Sequence, residues 1–197
     1  MGDRKQCFFG RMWKWFLTVL GDIKVYRFPM FMVYDPTTFD IKGDDTRDIM
    51  EVIAPGDVVL RGYRHYLDGF FIPGDLSHSG IYVGNGTVIH SVAEGVCEID
   101  LIDFFRCDRA CVMRPKDGKA AVEAIEKAKS LIGSDYDFNF VDGNGAYYCH
   151  EFTATCYSML GIEKKKTKIM GIPLRRRYLG TSFTESDKFD EVIRINC

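Results

Sequence analysis

The dipeptide Asn85-Gly86 separates the run Ser77-His78-Ser79-Gly80-Ile81-Tyr82-Val83 from Thr87-Val88-Ile89-His90-Ser91. Asn-Gly accepts the two positive φ angles of a tight antiparallel turn, which makes it the strongest short hairpin signal. Strand patterns flank it on both sides. Val58-Val59-Leu60 follows the turn Pro55-Gly56-Asp57, Val96, Glu98 and Asp100 alternate after Gly95, and Arg109 to Met113 reads as another strand. Four or five consecutive strands with tight turns imply an antiparallel sheet.

Helical spacing appears in three places. Asp117 caps a predicted helix that Gly133 ends, with Ala121, Val122, Ile125, Ala128, Leu131 and Ile132 along one face. A second helix begins near Cys149 and ends at Leu160, with Gly161 as its cap. The third is N-terminal, where Phe8, Phe9, Met12, Trp13, Phe16, Leu17 and Leu20 form one apolar stripe. That helix packs on the domain, lies at a membrane interface with Arg11 and Lys14 at the rim, or is an atypical uncleaved signal. Residues Tyr26 to Met50 read as a surface connection with one or two short strands, and Tyr136 to Phe140 as an extended segment. The expected organisation is an arm over 1–25 and one α+β domain over 26–197.

The formal net charge of −2 argues against a polyanion as main partner, so no nucleic acid is expected. The basic run Lys164-Lys165-Lys166, Lys168 and Arg175-Arg176-Arg177 is a solvated face or a contact for an anionic partner. Seven cysteines, odd in number and irregularly spaced, point to free thiols in a reducing compartment. The expected location is cytoplasmic, with membrane-surface contact through the N-terminal helix as an option. Cys107 and Cys111 are four apart and no Cys-x2-Cys pair occurs, so no metal site is expected. No cofactor is expected either.

A thiol attacks as thiolate, and a helix N-terminus or a nearby imidazolium favours that form. Cys149 sits at the predicted first turn of a helix, after the glycine-rich loop Asp142-Gly143-Asn144-Gly145. Backbone N–H groups there favour the thiolate and suit an oxyanion. Of the four histidines, His78 and His90 flank the Asn85-Gly86 turn and can share one face of the hairpin. His150 follows Cys149 directly, and adjacent helical residues point apart. His65 lies in a polar loop. Position alone leaves Cys149 open between a nucleophile and an inert buried thiol.

The ordered segments Pro-Gly-Asp-Val-Val-Leu (55–60), Ile-Pro-Gly-Asp-Leu-Ser-His-Ser-Gly-Ile-Tyr-Val-Gly (72–84), Thr-Val-Ile-His-Ser (87–91) and Tyr-Cys-His-Glu-Phe (148–152) resemble the circularly permuted NlpC/P60 proteins. They are most similar to the YiiX/YebB-like branch, and the resemblance covers about residues 50 to 195. It implies a papain-like fold, with the cysteine helix packed against an antiparallel sheet that presents the histidine. It implies Cys149 as nucleophile, His78 as base and His90 as third polar residue, with Glu151 in a structural role. The expected activity is hydrolysis of an amide bond through an acyl-enzyme. The substrate would be a small peptide, of murein type in the wider family, or a lipid-linked molecule. Two alternatives remain: lipid acyl transfer or thioester hydrolysis, as in the lecithin retinol acyltransferase-like cousins, and a non-catalytic binding module.

Overall fold

The computed structural model describes residues 12, 23–27, 30–34, 39–64, 74–140, 143–166, 168–169, 172–173 and 175–197. Met12 is helical, and the rest of the apolar stripe expected over 1–25 lies outside the described residues, as does His65. The first described elements are a two-stranded hairpin, β1 (Ile23–Arg27) with β2 (Met30–Tyr34), and a helix α1 (Gly43–Val52).

The Asn-Gly turn forms as expected. Asn85 and Gly86 take φ of 52° and 72° and join β4 (His78–Gly84) to β5 (Thr87–Val92). With β3 (Val58–Gly62), β6 (Gly95–Asp100), β7 (Arg109–Pro115) and β10 (Phe189–Ile195), these strands build one antiparallel sheet. The spatial order is β10-β7-β3-β4-β5-β6.

Both faces of the sheet are covered, as strand alternation requires. On one face Val58, Leu60, Ile81, Ile89 and Met113 pack with helix α3 (Gly118–Ser130) and helix α4 (Cys149–Cys156). On the other, Val59, Val88, Ala110 and Val112 meet Ile49 of α1 and Leu101 and Phe104 of the short helix α2 (Leu101–Phe104). A further pair of two-residue strands, β8 (Lys168–Ile169) and β9 (Ile172–Pro173), forms a hairpin before α5 (Thr181–Thr184).

Four local expectations change. The segment read as a connection before Met50 contains α1, whose start is fixed by the Asp45 carboxylate accepting the Lys42 N–H at 2.8 Å. The face of α3 is rotated: Ala120, Ala124 and Ala128 are buried while Val122 and Ile132 are 62% and 45% exposed. Small residues face inward there because α3 lies close to its neighbours; a Cβ on Gly56 would come 2.5 Å from the Ala121 Cβ. Residues 136–140 form no strand. The Asp137 carboxylate accepts the Asn139 N–H at 2.9 Å and Phe140 has φ 54°, so the chain turns. The helix expected to run to Leu160 is α4 followed by a 3-10 turn, Ser158–Leu160, and Gly161 closes it at φ 63°.

Candidate active site

His78 opens β4, and Gly80, two residues on, pairs with His90 of β5. Residues two apart share a face, so both imidazoles stand on the same side of the sheet. They meet there: His78 Nε2 lies 3.0 Å from His90 Nδ1, with the rings edge-on at 80°. Gly80 is what permits this. A Cβ at that position would be 2.9 Å from the Ile89 carbonyl oxygen and 3.1 Å from the His90 Cβ.

The histidine pair is backed by Phe104, whose ring centroid is 5.8 Å from His78 and 5.9 Å from His90. Arg61 lies directly opposite His78 in the β3–β4 register. Its guanidinium stacks over Phe104 at 4.7 Å and donates to the Phe104 carbonyl at 2.9 Å. Burial and the Arg61 charge hold both imidazoles below the ordinary histidine range, His90 at about 3. Both rings are therefore neutral at pH 7.

Cys149 is the first residue of α4, which packs under β4 on the opposite face from Phe104. Ser79, alternating with His78, points to that helix. Its hydroxyl lies 3.3 Å from the Cys149 carbonyl, 2.9 Å from Thr153 Oγ1 and 2.8 Å from His150 Nδ1. This buried polar cluster ties the start of α4 to the start of β4. The Cys149 thiol lies against the strand backbone on both sides of His78: it donates to the Ser77 carbonyl at 3.7 Å and faces the Ser79 N–H. In this resting arrangement the thiol keeps its proton and the Ser77 carbonyl is its acceptor.

The thiol departs from expectation in one respect. Burial pushes it up to about 11, although the N–H groups of Ser79 and His150 and the charge of Arg61 pull the other way. Cys149 is only 6% exposed, so desolvation of the thiolate outweighs the helix N-terminus. At rest the Cys149 thiol and both site imidazoles are neutral.

His150 turns away from the thiol, as adjacent helical residues must, and is buried against Ser79 and Phe183. Glu151 is also buried. Arg61 and Phe104 were not legible as site residues. The apolar run suggested a strand ending at Leu60, whereas β3 continues to Gly62 and brings Arg61 level with His78.

Buried neutral histidines make an acid-stability prediction. Burial holds His90 at about 3 and His150 at about 4, against 6.5 when unfolded. Depressed folded values mean the unfolded chain binds more protons in acid. Stability is therefore complete above pH 6.5 and falls as pH drops toward 4. Each histidine adds a slope of about 1.4 kcal/mol per pH unit. Urea unfolding followed against pH should show the decline, and His150→Gln should shallow it. A flat profile from pH 7 to 4.5 would contradict it.

A family model described as permuted papain-like amidase enzyme, YaeF/YiiX, C92 family, matches residues 52–187. A crystal structure described as metalloprotein yiiX from Escherichia coli O157:H7 superposes with a TM-score of 0.58 at 18% identity. The match covers 72% of this chain and 97% of that one, and it shows the same fold. No curated protein sequence matches this chain. Among the described residues no three His, Cys, Asp or Glu side chains converge, and the two site imidazoles bond to each other rather than face a common point. Among the described residues no helix is long and apolar enough to cross a membrane.

Proposed function

This chain belongs to the permuted papain-like amidases of the YaeF/YiiX type, and from that premise we propose that Cys149 is its nucleophile, His78 its general base and His90 the residue that orients His78. It is a cysteine hydrolase of the amidase class. The observation that carries the residue assignment is the 3.0 Å contact between His78 Nε2 and His90 Nδ1.

That contact constrains the tautomers. A base that takes the thiol proton on Nδ1 must carry its resting hydrogen on Nε2. His78 Nε2–H then donates to His90 Nδ1, which stays an acceptor because burial keeps His90 unprotonated down to about pH 3. His90 therefore fixes the ring of His78 and supports the imidazolium that forms, as the third member of a triad does. The thiol turns from the Ser77 carbonyl to His78, gives up its proton and attacks the amide carbonyl. Backbone N–H groups of the first turn of α4 hold the oxyanion. His78 then protonates the leaving amine, and water releases the acyl group. The Arg61 charge favours the thiolate and opposes the charged form of His78, so the resting imidazole is neutral.

The substrate class we propose is a small peptide, with murein-type peptides carrying γ-D-glutamyl links the first to examine. The test is amine release from a panel of short peptides. With an active member in hand, His90→Ala should lower kcat by about 10²-fold, and His90→Asn, whose carbonyl can still accept, should lose less. No amine release from any peptide would contradict the peptide reading, and an unchanged kcat in His90→Ala would contradict the role of His90.

A further inference from the structure

The arginines on and beside the sheet are of two kinds. Arg64, Arg106, Arg109, Arg114 and Arg194 each hold a carboxylate, from Asp40, Asp103, Asp75, Asp57 and Glu191 in turn. Arg61 has no ion pair among the described residues. Three buried carboxylates are committed elsewhere. Asp57 goes to Arg114, Asp108 to the backbone N–H groups of Asp40 and Arg64, and Asp137 to that of Asn139. Yet Arg61 is the arginine placed at the chemistry. It stands opposite His78 on the neighbouring strand and on the same face. Its charge reaches His78, His90 and Cys149.

The contacts Arg61 does make leave most of its guanidinium unused. Nη1 donates to the Phe104 carbonyl at 2.9 Å, and the group lies over the Phe104 and Tyr63 rings at 4.7 Å and 5.6 Å. Nε is buried with no acceptor among the described residues. The residue as a whole is only part-buried, so a solute can reach the remaining donors. A cation partly withdrawn from water without a counter-charge is costly. This one also opposes protonation of the two histidines beside it. A neutral side chain could cover Phe104 without either cost.

We propose that Arg61 is the anion subsite of this active site, holding a carboxylate that the acyl residue of the substrate carries beside the scissile amide. The proposal rests on the amidase reading above. A planar guanidinium pairs with a carboxylate through two parallel N–H···O bonds, and such a pair fixes orientation as well as affinity. The substrate would thus supply the counter-charge that the chain withholds. A γ-glutamyl link presents a carboxylate of this kind. A peptide bond between neutral residues does not, and neither does a fatty acyl ester or thioester. Arg61 is then the residue that selects an acidic acyl group over a lipid one.

The experiment reads protection of Cys149 from iodoacetamide in the full chain, by peptide mapping in a mass spectrometer, with the other cysteines as internal references. The protecting probes are N-acetyl-D-glutamine, which has a γ-amide and a free carboxylate, and its α-amide, which lacks only the charge. The expected result is protection by the acid at a concentration about 10-fold lower or less. Arg61→Gln should remove the difference, and Arg61→Lys, which keeps the charge without the fork, should restore part of it. An arginine that only packs on Phe104 would, when replaced, change both probes alike. Equal protection by the two probes in the wild type, no protection by either, or a difference that survives in both variants would overturn the inference and leave the amidase reading in place. Failure of Cys149 to react with iodoacetamide at all would overturn the amidase reading and the subsite with it.

Discussion

Replacing His78 by alanine is expected to cut amide turnover by 10⁴-fold or more, on the order of what loss of one member of a hydrolytic triad costs. Cys149→Ala should do the same, and the double variant should lose little more, because the two act as a unit. The size of the effect follows from the resting state. Burial leaves Cys149 titrating at about 11, so at pH 7 almost none is thiolate. Without a base at the start of β4 the thiol has no route to its reactive form. Both side chains lie at the ends of elements rather than inside the apolar clusters, so circular dichroism and the urea midpoint should change little. Turnover within tenfold of wild type in either variant would remove that residue from the mechanism.

Gly80→Ala is the second large effect, and it joins fold to chemistry. A Cβ there would lie 2.8 Å from Val88 Cγ1, 2.9 Å from the Ile89 carbonyl oxygen and 3.1 Å from the His90 Cβ. The carbonyl belongs to the β4–β5 ladder and cannot move without breaking register. The expected cost is about 1–3 kcal/mol of stability from overpacking. Because β5 must shift, His90 moves off His78, and a displacement near 1 Å is worth about 10²-fold in rate. Urea unfolding and kcat on one peptide measure the two losses together. A variant as stable and as active as wild type would show that the close approach of β4 and β5 does not govern the histidine pair.

Those two positions also explain part of the sequence pattern. In His78-Ser79-Gly80-Ile81 each residue has a separate task. His78 meets His90, Ser79 binds the start of the cysteine helix, Gly80 makes room for His90, and Ile81 fills the core beneath α4. The Asn85-Gly86 turn was legible because its chemistry is local: two positive φ angles admit few other residues. Asp117 and Gly161 were legible for the same reason, one as an acceptor for the Lys119 N–H and the other as a left-handed cap.

What the sequence concealed depends on distant neighbours. Helix α1 buries Ile49 alone, so it carries no apolar stripe to read. The inner face of α3 is made of alanines, because close packing against the Gly56 turn excludes larger residues. Large apolar residues such as Val122 therefore point outward and mislead a count of hydrophobic positions. Arg61 falls just past the apolar run Val58-Val59-Leu60 that marks the strand. Only the β3–β4 register sets it against His78, and only α2, folding back from β6, places Phe104 between the arginine and the histidines. The depressed histidines and the raised thiol follow from burial, which no motif encodes.

The most direct measurement is rapid acid quench of the enzyme with a slowly hydrolysed activated ester, followed by peptide mapping in a mass spectrometer. The expected result is one acyl group on the peptide that contains Cys149, formed far more slowly in His78→Ala and absent in Cys149→Ala. Turnover that persists in Cys149→Ala, or an acyl group carried by another of the seven cysteines, would contradict the assignment of the nucleophile.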